Sequence, residues 1–395
     1  MSRTRHKKDL GSKKAVDLVM KLMAIPGKSG EEKQVVDFIA KELCRSGVPR
    51  SVIATDSAHK KTAIGGNTGN LVVKLPGTSR QPRRMFTAHL DTVPACIGSK
   101  PVLRRGIVRS ADPSTGLGAD DRSGCAVLLH TVLEIYRRKA PHPPLTFCWF
   151  VQEEVGVQGS KTATRRLWGA PKMAFNFDGG SPAKLTIGAT GCYRINIEVT
   201  GLASHAAVAP NKGISAVAIA AMAIADLQKN GWHGAVKKGK KLGTSNVGVI
   251  RGGTATNVVA EQLFIEAEAR SHDAEFRQRI LKEIKAAFNR ARNRICNDGG
   301  KCGKVKFDVT FSYDSYLLDK NEEVVSYAES AIEGLGLKSS LAVADGGLDA
   351  NWLNHYKIPT VSLGAGQAYP HTVKEILNIH RFNEACKIAW ELATG

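Results

Sequence analysis

The sequence predicts an α/β catalytic domain, a mixed sheet flanked by helices, interrupted by a smaller ferredoxin-like unit. Three observations carry that reading. Apolar strand-like runs alternate with amphipathic helical stretches up to about residue 190. Between 191 and 313 the order becomes β-α-β-β-α-β. The first pattern then resumes, so residues 1–190 and 314–395 form one discontinuous domain around the inserted 191–313.

Each element has a local reason. Residues 13–23 are amphipathic and stop at Pro26-Gly27. Ser29, three residues ahead of Glu32, reads as the N-cap of a second helix with a capping box, running to about Cys44 and ending near Gly47. Strands are expected at 70–75 and 84–88, a helix over 124–138, and a buried strand at 145–151. In the inserted unit, 193–199 alternates as a strand, and 214–227 is a helix apolar on nearly all sides. Strands 245–250 and 262–269 are linked through Gly252-Gly253, followed by an amphipathic helix at 274–294 and a last strand at 305–311. Helix 322–335, strand 360–363 and helix 381–392 complete the outer domain.

Composition bounds the class. The chain has 395 residues, 43% hydrophobic and 23% charged, as a soluble protein with a large core would. No apolar run approaches the roughly 20 residues of a membrane span, so no membrane partner is expected. The start, Met1-Ser-Arg-Thr-Arg-His-Lys-Lys8, is basic but lacks the apolar stretch of a secretory signal. Eight scattered cysteines contain no Cys-x-x-Cys pair, and Cys125, Cys148 and Cys192 read as small buried hydrophobes. This points to a reducing, cytoplasmic compartment. The net charge of +20 is dispersed, with no nucleic-acid motif beside it, so a basic surface is expected rather than specific nucleic-acid binding.

Five residues of metal-binding type stand in distinct local contexts: His89 in His89-Leu-Asp-Thr92, Asp120 in Gly118-Ala-Asp-Asp-Arg122, Glu154 in Glu153-Glu-Val155, Asp178 in Phe177-Asp-Gly-Gly180, and His371 in Tyr369-Pro-His371. Two imidazoles and three carboxylates suit two zinc ions sharing one bridging carboxylate. His89 and Asp91, at i and i+2 of a strand end, share a face, so Asp91 can hold the second ring nitrogen of a metal-bound His89. Glu153, beside Glu154, is a spare acid, and the set suggests hydrolysis by metal-activated water. Alternatives stand for each motif taken alone. The histidine could be a strand-end residue without a ligand role, Asp120-Asp121 could serve a helix N-terminus, and the rest could be solvated loop ends. Their common position at strand ends favours the site.

The motifs His-x-Asp-Thr, Gly-Ala-Asp-Asp-Arg, Glu-Glu-Val-Gly, Asp-Gly-Gly, Gly201-Leu-Ala-Ser-His205 and Gly346-Gly-Leu-Asp-Ala-Asn351, with the last histidine, resemble the dizinc metallopeptidases. That family includes peptidase T, aminoacylase, carboxypeptidase G and succinyl-diaminopimelate desuccinylase. The resemblance implies a zinc-exopeptidase-type catalytic domain and a lid that dimerises. It implies that His89 and Asp178 hold one metal, Glu154 and His371 the other, and Asp120 both, with Glu153 as general base and Asp91 orienting His89. It further implies substrate contacts from His205, Asn257 and Arg270. Arg122 stands where a lysine is usual. The metals are expected to be two divalent ions, zinc first, with cobalt or manganese able to substitute.

A second resemblance is to glutamyl-aminopeptidase and endoglucanase-like dimetal aminopeptidases. It is disfavoured because only about 30 residues separate Asp91 from Asp120, too few for that family's inserted domain. The expected activity is therefore hydrolysis of short peptides, tripeptidase-like aminopeptidase first, carboxypeptidase or N-acyl amino acid amidohydrolase second. A binding protein without catalysis is the reading of another class. The apolar 214–225 stretch adds the expectation of a homodimer through the lid, with His205 reaching the neighbouring chain's metals.

Overall fold

The computed structural model describes residues 13–395, so the basic start of the chain lies outside the described residues. The described chain divides into two compact units. One comprises the residues up to Gly188 together with Leu317–Gly395, and the other is Ala189–Tyr316.

In the first unit, the strands run in the spatial order Ile53–Thr55, Leu71–Leu75, Leu145–Phe150, Arg84–His89, Met173–Phe177, Thr360–Leu363, Lys184–Ala189. The four from Leu145–Phe150 to Thr360–Leu363 are mutually parallel, and their pairing sets His89 opposite Phe150 and Phe177 opposite Leu363. Buried parallel strands read as unbroken apolar runs, as Leu145–Phe150 and Met173–Phe177 do. Phe86 stacks on Phe147 and Phe177 at ring separations of 5.1 and 6.5 Å, locking neighbouring strands through their side chains. Helix Ala119–Arg138 packs on strand Arg84–His89 and between helices Lys13–Ala24 and Ile379–Thr394. A second, four-stranded sheet pairs Gln367–Ala368, Ile376–Asn378, Ile107–Ser110 and Pro101–Arg104 in that order. The loop between its first two strands carries His371.

The Ala189–Tyr316 unit is a five-stranded antiparallel sheet ordered Gly234–Lys238, Lys241–Gly252, Gln262–Ser271, Gly191–Thr200, Lys304–Tyr313. Helices Ala216–Lys229 and Ala274–Arg294 bury their apolar sides on a core of Ile195, Ile197, Ile219, Ile265, Ile280 and Phe288. Ser215 and Asp273 cap these helices, accepting from the amides of Ala218 and Phe276 at 3.1 and 2.8 Å. The ferredoxin-like order stands, with an added edge strand Gly234–Lys238. Its Ala-Val-Lys-Lys sequence turns only Val236 inward, too weak a pattern to read as a strand.

The capping box expected at Ser29 and Glu32 does not form. The helix spans Lys33–Arg45 and has no side-chain cap from its own preceding residue. The Ser29 hydroxyl donates to Asp91 Oδ2 at 2.6 Å, while Glu32 Oε1 accepts from the amides of Gly30 and Gln152. Asn67 instead accepts from Lys33 N at 3.0 Å. A buried carboxylate is the stronger acceptor for a hydroxyl, so the tertiary partner displaces the local one. Cys125, Cys148 and Cys192 are buried as expected. Cys296 and Cys302 form a disulfide across a six-residue separation, a pairing the sequence reading did not foresee. No helix among the described residues is long and apolar enough to cross a membrane.

Candidate metal centre

The parallel strands end side by side, and the expected ligands of the first unit sit on those ends. His89 closes strand Arg84–His89, Glu153 and Glu154 follow Leu145–Phe150, Asp178 follows Met173–Phe177, and the His371 loop follows Thr360–Leu363. Asp120 opens helix Ala119–Arg138, where it and Asp121 leave helical geometry and share a cis peptide bond.

Asp120 stands between the two imidazoles. Its Oδ1 lies 3.1 Å from His89 Nε2 and its Oδ2 lies 3.5 Å from His371 Nε2. His371 Nε2 also meets Glu154 Oε2 at 2.9 Å. Donor atoms of His89, Asp120 and Glu154 lie within 4.8 Å of one another, as do those of His89, Asp121 and Asp178. Asp121 is thus gathered beside Asp178, outside the expected ligand set. Both of its oxygens accept backbone amides, from His89 at 3.1 Å and Gly124 at 3.0 Å, so it braces strand against helix.

Asp91 does more than orient one ring. Its Oδ1 lies 3.4 Å from His89 Nδ1, with its backbone oxygen at 3.1 Å from the same nitrogen. Oδ1 also accepts from Glu153 N at 2.9 Å, and Oδ2 from Glu154 N at 3.1 Å and from the Ser29 hydroxyl. One carboxylate therefore fixes His89, Glu153 and Glu154 together. Gln367 plays a similar part for Asp178, donating Nε2–H to Oδ1 at 3.2 Å while its oxygen accepts from Ser123.

Electrostatics single out the same place. Burial drives the carboxyls of Glu153 and Glu154 upward, and burial with the Asp120 charge lifts Asp178 to about 7. Burial would lower His89, but Asp120 and Asp91 hold its pKa well above the usual value, and Asp120 and Glu154 raise His371 to about 10. Burial would raise Asp120, yet the two imidazoles keep it below the ordinary range. A compact set with more carboxylates than imidazoles is costly without cations, and its oxygen and nitrogen donors fit divalent metal ions.

His205, Asn257 and Arg270 lie in the Ala189–Tyr316 unit. The loops of His205 and Asn257 are joined by a bond from Ala206 N to Asn257 O at 2.9 Å, and His205 Nδ1 accepts from the amides of Ala207 and Val208. Arg270 is paired through Nε and Nη2 with Glu268, both at 2.8 Å. The sequence reading missed Asp121, Gln367, Glu375 and Ser29. Asp121 and Glu375 had a visible signal, each an acid in the same short segment as an expected ligand, Asp120 and His371.

The sequence comparisons agree with this geometry. Residues 187–295 match a peptidase dimerisation domain, and residues 70–210 match peptidase family M28. YqjE of Bacillus subtilis is 30% identical over 370 residues, covering 94% of this chain and 95% of that protein. A tripeptidase from Staphylococcus aureus superposes with a TM-score of 0.84 at 29% identity, covering 96% of this chain and 97% of the other. Aminopeptidase PepT from Bacillus cereus does so at 0.80 and 30%, with the same coverage. The chain belongs to the M20 peptidase family. The M28 match stops at residue 210, short of the His371 segment, whereas YqjE and PepT match along both units. As an M20 peptidase with a dimerisation domain, the protein is a peptide-bond hydrolase.

Proposed function

We propose that the protein is a dizinc aminopeptidase of short peptides, tripeptides foremost, with Glu153 as its general base. The observation that carries the role of Glu153 is its placement. It is a half-buried acid next in sequence to Glu154, its backbone amide donates to Asp91, and desolvation raises its carboxyl well above the ordinary value, which suits an acid that must take up a proton and return it. The tripeptide preference rests on similarity to the S. aureus tripeptidase and B. cereus PepT.

In this reading His89 and Asp178 serve one ion, Glu154 and His371 the other, and Asp120 both. Bound zinc would supply Lewis acidity to water and to the scissile carbonyl. The protein's residues do the rest. Glu153 removes a proton from the attacking water and returns it to the leaving amine. Asp91 keeps His89 and the Glu153–Glu154 backbone in register through this exchange. His205, Asn257 and Arg270 contact the peptide, Arg270 once released from or shared with Glu268.

The Ala189–Tyr316 unit acts as lid and homodimer interface. Its dimerisation-domain match and the outward apolar side of helix Ala216–Lys229, where Val217 is 49% exposed, support that assembly. The buried free thiols of Cys96, Cys125, Cys148, Cys192 and Cys386 fit the cytoplasmic placement that forms part of the proposal, whereas the Cys296–Cys302 disulfide runs against the reducing surroundings expected from the cysteine pattern. The test is a panel of di- and tripeptides with free or blocked termini, assayed with added zinc. Cleavage of free-amine tripeptides supports the reading. Turnover confined to amine-blocked peptides or N-acyl amino acids rejects it in favour of carboxypeptidase or deacylase activity.

A further inference from the structure

Glu375 sits four residues beyond His371, at the end of the loop that carries it, and is 2% exposed. Its carboxylate reaches across the fold to the turn that delivers Asp120. Oε2 accepts from Leu117 N at 2.9 Å and Gly118 N at 2.7 Å, and Oε1 accepts from Asp120 N at 2.8 Å. Cys96 Sγ makes a longer contact to Oε2 at 3.6 Å. These bonds join segments 255 to 258 residues apart in sequence.

The turn needs such a partner. Gly118 is left-handed at φ 76°, and Asp120 and Asp121 depart from helical angles, so the first amides of helix Ala119–Arg138 have no acceptor within the helix. An anion is favoured at a helix N-terminus, and this one comes from the His371 loop rather than from the preceding residue. One side chain thus ties the backbone of Asp120 to the segment holding His371, whose Nε2 lies 3.5 Å from Asp120 Oδ2.

We propose that Glu375 is a positioning residue that sets the spacing of Asp120 and His371 and thereby determines how tightly the centre takes zinc. The inference rests on the reading of Asp120 and His371 as ligands. Glutamine at this position keeps the shape but offers a single acceptor oxygen. With that oxygen serving Leu117 and Gly118, its NH2 faces the amide of Asp120 itself.

The experiment titrates the metal-stripped full-length protein with Zn2+ against a competing chelator, for wild type, Glu375→Gln, Glu375→Asp and Asp120→Ala. Both Glu375 variants should retain the wild-type far-UV circular dichroism and bind zinc about 10–100-fold more weakly, the range for partners that orient metal ligands. The visible bands of the Co2+-substituted protein should shift in both, which a brace serving only stability would not cause. Zinc isotherms of both variants within twofold of wild type, with unchanged cobalt spectra, overturn the proposal. Failure of both variants to fold also overturns it, since Glu375 would then be a folding brace. Asp120→Ala separates the two layers. If it binds zinc as wild type does, the ligand reading fails. If it loses zinc while the Glu375 variants do not, only the positioning role fails.

Discussion

Replacing Asp91 by asparagine tests the centre at its most connected side chain. Asp91 is fully buried, and its two oxygens face four donors: Glu153 N at 2.9 Å and His89 Nδ1 at 3.4 Å on Oδ1, Glu154 N at 3.1 Å and the Ser29 hydroxyl at 2.6 Å on Oδ2. Asparagine has the same outline but can accept on one side only. If its NH2 replaces Oδ2, Ser29 can rotate to accept, but the amide of Glu154 is left facing a donor. If it replaces Oδ1, the amide of Glu153 loses its acceptor, and the ring of His89 keeps only the backbone oxygen of residue 91 at 3.1 Å. Either orientation strands at least one buried N–H, a cost of about 1–3 kcal/mol. At about 1.4 kcal/mol per factor of ten, that is a loss of roughly 5- to 150-fold, divided between zinc affinity and transition-state stabilisation. The assay is kcat/KM on a tripeptide at saturating zinc, with metal content measured on the same samples. Ser29→Ala, which removes a single neutral donor, should cost about 1 kcal/mol, several-fold at most. An Asp91→Asn enzyme within twofold of wild type at full zinc content would refute the reasoning.

Three further outcomes follow from the same structure. Glu153→Gln should keep both zinc equivalents while kcat falls by about two to four orders of magnitude, the range for a general base; unchanged turnover removes Glu153 from that role. Burial raises the carboxyls of Glu32 and Asp349 to about 7 from ordinary values of 4.5 and 3.8. A raised carboxyl favours the folded state while protonated, so this contribution is complete below the ordinary values and is lost as pH rises to about 7. The melting temperature of the zinc-free protein should therefore fall between pH 5 and pH 8, and a flat or rising profile contradicts it. Finally, mixing Glu153→Ala with His205→Ala protomers should restore up to about a quarter of wild-type activity, because half the dimers are mixed and one site in each is intact. No recovery despite confirmed subunit exchange argues that His205 acts within its own chain or not at all.

The regular elements were legible because their causes are local. Unbroken apolar runs such as Leu145–Phe150 marked buried strands, and amphipathic spacing marked helices such as Ala274–Arg294. The strand-end acids and histidines were legible for a related reason. A titratable residue at or just beyond the end of a buried strand has few structural uses, so His89, Glu154 and Asp178 announced themselves by position. Ser29 and Glu32 misled because their capping pattern is also local, while the acceptor and donors they meet are Asp91 and Gln152, 62 and 120 residues away. The strand Gly234–Lys238 escaped because a lysine-rich edge strand shows hardly any alternation.

By itself, the sequence determined the two-unit α/β plan, the family resemblance and the inventory of metal-binding residues. The plan and the inventory follow from composition and spacing within short stretches, and the resemblance from the motifs themselves. Only the tertiary structure decided which acids meet imidazoles and which meet backbone amides. Asp91, Asp120, Asp121 and Glu375 are the same kind of group in the sequence, yet Asp120 stands between two imidazoles while the others take up backbone amides. The reason is that a carboxylate's role is set by the donors that surround it after folding, and here those donors come from strands and loops up to 258 residues apart.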